Sequence, residues 1–167
     1  MSDFIIKNFV NRGNFIKDKY TCSRKGYGDN ISPAMTWKKN SKCSSYALIF
    51  EDIGRDGKPF RVHWYVPYIS CDINEIDELR NNAPINHPDK FIQGKNSYEI
   101  FGYIGPCPPS NGSKHMYRFI LYELGGKIAL RDELLEPMFS TDFEKVLKKQ
   151  KIKILKKNII DSYFSKE

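Results

Sequence analysis

The apolar residues of this chain come in short runs, and turn residues break them along its whole length. The breaks fall at Gly13-Asn14, Gly26 to Asn30, Ser32-Pro33, Lys39 to Ser41, Gly54 to Pro59, Pro106 to Gly112 and Gly125-Gly126. Segments of strand length between such turns predict a β-rich domain, a sandwich or a barrel. Tyr46 to Phe50 is a continuous apolar run suited to a buried central strand. Phe60 to Pro67 alternates, which places Val62, Trp64 and Val66 on one side and Arg61, His63 and Tyr65 on the other. Tyr117 to Leu124 is β-branched and aromatic, a further strand. Helical spacing is confined to two places. One is Asp72 to Arg80, a short helix or a turn, with Ile73, Ile76 and Leu79 in phase. The other opens at Thr141, with Phe143, Val146 and Leu147 in phase and Thr141 and Glu144 placed for a capping box. From Lys151 to Ile154 the pattern alternates again and reads as a strand.

A length of 167 residues, 40% apolar with 21 Phe and Tyr, suits a single globular domain over residues 1–167. Its core needs neither disulfides nor a structural metal. No apolar run reaches the roughly 18 residues of a membrane span. Met1-Ser2-Asp3-Phe4 lacks the basic-then-apolar signature of a secretory signal, so the expectation is a cytoplasmic protein. Abundant Lys, Asn and Ile point to an AT-rich genome, such as that of a large DNA virus or a parasite; a viral protein would work in the host cytoplasm.

The net charge of +7 invites a nucleic-acid reading, but its distribution argues against one. Residues 145–167 carry eight Lys against Asp161 and Glu167, and the rest of the chain is close to neutral. This lysine-rich segment reads as a solvated helix or strand face, or as a separable tail that offers a patch to an anionic membrane or an acidic partner. The four cysteines show no CxxC pair, and the histidines are not at ligand intervals, so no metal is expected. In the cytosol all four would be thiols, structural or incidental.

Two segments carry chemistry: Asp52 with Val62-His63-Trp64, and Gly102 to Pro109 with His115-Met116-Tyr117. His115 and Tyr117 share one face of a strand. A carboxylate, two imidazoles and a phenol converging on one pocket would bind an oxyanion, since imidazole and phenol both donate hydrogen bonds. Gly105-Pro106 would let backbone approach a ligand closely. Singly, each has a plain structural reading: a hydrogen-bonded histidine, a turn-forming aspartate, a rigid proline loop.

Their order is more specific. Tyr20-Thr21-Cys22, Ile31 to Trp37, Ala47 to Asp52, Val62-His63-Trp64, Gly102-Tyr103-Ile104-Gly105-Pro106-Cys107-Pro108-Pro109 and His115-Met116-Tyr117 follow one another. This succession resembles the phosphatidylethanolamine-binding protein family, which includes the Raf kinase inhibitor proteins. It is most similar to the bacterial-type branch, over about residues 15–125. The resemblance implies an antiparallel β-sandwich with a few short peripheral helices, one near the C-terminus. It also implies an anion pocket built from Asp52, His63, Gly105, Pro106, His115 and Tyr117. The ligand implied is a phosphate-containing small molecule or a phospholipid headgroup. No cofactor and no catalytic residue are implied. The alternative is an interaction module that inhibits or scaffolds a kinase or a serine protease, with a vestigial pocket. Cys22 and Cys107 both fall in pocket motifs, and a disulfide between them is conceivable but unforced in a reducing compartment.

Three departures from the family pattern bear on the pocket. The family's D-P-D-A-P reads Asp52-Ile53-Gly54-Arg55-Asp56 here, so the rigid turn those prolines give is lost and Arg55 stands at the mouth. Met116 replaces the Arg of H-R-Y, and Arg118 on the same face is expected to take over part of its pairing. The loop Ser23 to Ile31 is longer than usual and carries Arg24 and Lys25.

Overall fold

The computed structural model describes residues 3–78 and 89–167. Ser45–Asp52 (β3), which holds the continuous apolar run, is the central strand of a five-stranded antiparallel sheet, buried along its whole length. Its neighbours are Arg61–Ser70 (β4) and His115–Leu124 (β7). Phe91–Ile92 (β6) and Ile154–Phe164 (β8) form the edges, in the order β6-β4-β3-β7-β8. A smaller antiparallel sheet pairs Phe4–Ile6 (β1), Met35–Trp37 (β2) and Glu75–Ile76 (β5), in the order β1-β2-β5.

Strand alternation sorts side chains onto the two faces of β3 and β7. Tyr46, Leu48, Phe50, Phe119 and Leu121 pack with Phe4, Met35, Trp37 and Ile76 of the smaller sheet. Ala47, Ile49, Ile120, Tyr122 and Leu124 pack on the other face with Phe143 and Leu147. Those two belong to the one α-helix among the described residues, Ser140–Lys149 (α1).

The fold is therefore a mainly β, antiparallel sandwich with a helix near the C-terminus, as the strand spacing implies. Three local expectations are corrected. Asp72 to Glu78 is not helical: Glu75 and Ile76 pair with Thr36 and Met35 in the small sheet. Residues 79 and 80 lie outside the described residues. At α1 the Thr141–Glu144 capping box is not made. The helix starts one residue earlier, and its first N–H is satisfied from elsewhere in the fold: buried Glu51 of β3 accepts the Ser140 N–H at 3.0 Å and the Ser140 Oγ–H at 2.6 Å. Glu144 instead accepts from Lys157 Nζ at 2.9 Å.

The third correction concerns the lysine-rich segment, which is no detachable tail. It supplies the second half of α1 and all of β8, paired with β7 from His115↔Phe164 to Leu124↔Ile154. Its charge is partly answered, by Lys156–Asp3 at 2.6 Å and Lys157–Glu144 at 2.9 Å. Lysines on an edge strand also discourage pairing with other chains.

Candidate functional site

The β3–β4 register contains the device that builds the site. Phe50 pairs with Trp64 and Glu51 with Val62, so β4 spends two residues where β3 spends one. His63 is the extra residue of a β-bulge, which bends a strand and re-aims a side chain. Plain alternation puts Val62 and Trp64 on one face and His63 on the other. The bulge undoes this: Val62 joins the helix-side core and Trp64 the inter-sheet core. His63 turns toward Phe50 and Tyr117, with ring centroids 5.7 and 5.5 Å away.

Freed from β3, the backbone of His63 binds the next segment. Its carbonyl accepts the Ile104 N–H at 2.9 Å, and its Nδ1–H donates to the Ile104 carbonyl at 2.8 Å. That carbonyl can only accept, so the proton sits on Nδ1 and Nε2 is left for a ligand. Burial pushes the His63 pKa below its ordinary 6.5, and the imidazole is neutral at pH 7.

Asp52 closes β3 opposite Tyr117. Its Oδ2 accepts the Nδ1–H of His115 at 2.9 Å, and its Oδ1 accepts the Gly54 N–H at 2.7 Å. His115 Nε2 is again the free ring nitrogen. His115 and Tyr117 do share a face, with rings 6.4 Å apart and nearly parallel. Tyr117 is fully buried, yet its hydroxyl has no hydrogen-bond partner. Burial first, and Asp52 nearby second, raise its pKa far above the ordinary phenol value, so it stays a neutral donor. An unpaired buried hydroxyl costs about 1–3 kcal/mol, which a bound acceptor would relieve.

Asp52, His63, His115 and Tyr117 thus come together. Gly105 and Pro106 directly follow Ile104, whose backbone is bonded to His63. Gly105 has a packing reason to be glycine: a Cβ there would lie 2.1 Å from the Tyr20 carbonyl oxygen. Its N–H is already given to Asn30 Oδ1 at 2.7 Å. Pro106 accepts the Cys22 N–H at 3.0 Å, and a Cys22–Cys107 disulfide staples the same two segments. The expectation of four thiols is therefore corrected. The fold brings residues 85 apart into contact beside Gly105, a proximity that spacing along the chain does not reveal.

The turn that lost its prolines is held by hydrogen bonds instead. The N–H groups of Ile53 and Met116 donate to the carbonyls of Met116 and Gly54, each at 2.9 Å, and the Phe60 N–H donates to the Asp52 carbonyl at 2.7 Å. The turn frames an open cleft of about 580 Å³ lined by Arg55, Lys58, Pro59, Phe60 and His115. Arg55 lines this cleft without plugging it. The longer loop after Cys22 is tied down through Tyr27, whose hydroxyl donates to the Pro108 carbonyl.

Two wall residues escaped sequence reasoning. Phe60 is half exposed and stands edge-on to His115 at 5.9 Å. Tyr98 lies 6.1 Å from His63, in a loop organised by buried Asn96, whose Oδ1 accepts the Tyr98 N–H at 2.9 Å. Phe60 had a faint signal as an exposed aromatic at the start of a strand; Tyr98 had none. Among the described residues no cluster of three or more His, Cys, Asp or Glu could hold a metal, and no helix is long and apolar enough to cross a membrane.

Residues 7–162 match the family model described as "Phosphatidylethanolamine-binding protein". A UPF0098 protein of Methanothermobacter thermautotrophicus is 35% identical over 136 residues, covering 78% of this chain and 84% of that protein. A second, from Pyrococcus abyssi, is 31% identical over 122 residues, covering 70% of this chain and 64% of its own length. Escherichia coli YbcL, described as a new member of the mammalian PEBP family, has the same fold. Its TM-score is 0.76 at 20% identity, with 99% of this chain and 100% of that chain covered.

Proposed function

Because the chain belongs to the phosphatidylethanolamine-binding protein family, in its bacterial-type branch, we propose that it binds the phosphate group of a small molecule or a phospholipid headgroup, and that it does so without catalysis. The observation that carries this reading is the partnerless Tyr117 hydroxyl, buried between two histidines whose outer nitrogens are free. An anion entering past Phe60 and Arg55 would meet His115 Nε2 first, then His63 Nε2 and the Tyr117 hydroxyl. Asp52 keeps the His115 proton on Nδ1. A second proton, taken up on His63 Nε2 when the anion arrives, turns that imidazole into a charged donor.

The whole chain acts as one domain in this proposal, and its place of action is the cytoplasm. The exposed lysines of α1 and β8 would add a peripheral contact with an anionic membrane, at about 1 kcal/mol each.

Titration calorimetry with inorganic phosphate and with phosphoethanolamine tests the pocket. Saturable binding to the wild type, weakened at least about tenfold in His115→Ala, supports it. Absence of heat with both ligands sinks it.

A second reading has its own observation. Phe60, Tyr98, Ile100 and Phe101 are exposed close to the site, a composition typical of protein interfaces. It makes the cleft a docking face for a kinase or protease. A partner that binds His115→Ala as tightly as wild type but loses Phe60→Ala would favour it. Deleting residues 145–167 is no test of either reading, because it removes β8 from the sheet.

A further inference from the structure

The remaining two cysteines lie far from the anion pocket, where two turns meet. Cys43 ends the turn that leads from β2 into β3, and Cys71 opens the turn that leads from β4 toward β5. The register pairs Ser45 with Ser70, which sets these turns side by side. Each is fixed by its own backbone: the Cys43 N–H donates to the Asn40 carbonyl at 3.0 Å, and the Ile73 N–H to the Ser70 carbonyl at 3.0 Å. The two sulfurs are 3.2 Å apart, and both residues are partly exposed. Cys71 Sγ–H donates to the Cys43 carbonyl at 2.9 Å, and Cys43 Sγ–H to the Ser45 carbonyl at 2.9 Å.

We propose that Cys43 and Cys71 form a redox-responsive dithiol that closes to a second disulfide when a disulfide oxidant such as oxidised glutathione reaches it. The reacting sulfurs need almost no movement, because the register has already brought their turns together. Cys71 is the resolving thiol. It is held protonated by burial and by its neighbour Cys43, its pKa pushed up to about 12. Cys43 supplies the attacking thiolate, because the Cys71 Sγ–H lies 3.2 Å from Cys43 Sγ, placed to donate to a thiolate there. It attacks one sulfur of oxidised glutathione, forms a mixed disulfide and expels one glutathione thiolate. Cys71 then attacks Cys43 Sγ and expels the second glutathione, with its proton passing to the departing sulfur. In sum, two protein thiols are oxidised and one glutathione disulfide is reduced to two thiols.

The bond would join the segment that passes from the small sheet to the large one with the segment that passes back, tying the layers of the sandwich together. It lies about 25–30 Å along β3 from Asp52, so it is separate from the anion reading and its test uses no anion.

Wild-type protein purified without reductant is expected to show two titratable thiols when denatured, since Cys22–Cys107 is already bonded. Native protein treated with oxidised glutathione should lose both. Its non-reducing peptide map should join Cys43 to Cys71, its melting temperature should rise, and reduced glutathione should restore the thiols. Cys71→Ser should stall as a glutathione adduct on Cys43, while Cys43→Ser takes up none. Two thiols persisting in the treated wild type, a stable glutathione adduct on it, or a cross-link from either residue to Cys22 or Cys107 would overturn the proposal. The wild-type arms decide the matter even if a serine variant fails to fold.

Discussion

Asp52 Oδ2 and His115 Nδ1 lie 2.9 Å apart, inside the β3–β7 register that sets Asp52 opposite Tyr117. That one contact fixes which nitrogen of His115 faces the cleft. The same carboxylate holds the proline-free turn through the Gly54 N–H. Asp52→Ala is expected to strip two buried donors of their acceptor and to destabilise the fold by about 2 kcal/mol. Urea unfolding checks this as a lower midpoint with an unchanged slope.

The neutral state of His63 sets a pH dependence. Its folded pKa lies below 6.5, so below that pH the unfolded chain binds more protons than the folded one. Stability of the free protein therefore rises with pH up to about 6.5 and is lost as pH falls beneath it. Phosphate binding should run the other way, because the anion favours the imidazolium. Affinity is expected to grow between about pH 7.5 and 5.5, by up to tenfold per pH unit. Calorimetry in two buffers of different ionisation enthalpy should record proton uptake; uptake of zero contradicts the assignment.

Tyr117→Phe should separate stability from binding. The hydroxyl has no partner in the free protein, so its removal is expected to leave the melting temperature unchanged or raise it. The same variant should lose about three- to tenfold in phosphate affinity, the worth of one hydrogen bond. A loss of stability would mean that the hydroxyl is already satisfied.

Arg118 makes a two-point contact with Asp161 across β7 and β8, Nε–Oδ1 at 2.8 Å and an Nη–Oδ2 bond at 2.9 Å. Both side chains are about one-third exposed, so solvent screens the pair. Arg118→Ala is expected to cost about 0.5–1 kcal/mol. A double-mutant cycle with Asp161→Ala should show that most of this is the pairwise interaction. Unchanged melting in Arg118→Ala would remove the idea that Arg118 compensates for Met116.

The strands that frame the site were legible because their signals are local. The continuous apolar run at Tyr46 to Phe50 and the aromatic and β-branched run at Tyr117 to Leu124 each mark a buried strand and its length. His63 shows where such reading ends. Period-two alternation points it away from Trp64, and only the mismatch with β3 turns it toward Tyr117. A bulge is a property of two strands paired, which neither strand's sequence states alone. Glu51 shielding the start of α1, Tyr98 approaching His63 and Cys22 meeting Cys107 are likewise products of long-range packing. The lysine-rich segment erred for a related reason: its charge was plain, but its pairing with β7 depends on a hydrophobic partner face some 40 residues earlier.

The most direct measurement is a histidine-selective NMR titration of the wild type with inorganic phosphate. Resonances of His63 and His115 are expected to shift together and to saturate, with His63 moving in the direction of protonation. If both stay still while the protein remains folded, the two imidazoles do not bind an anion, and the pocket described above is not the functional site.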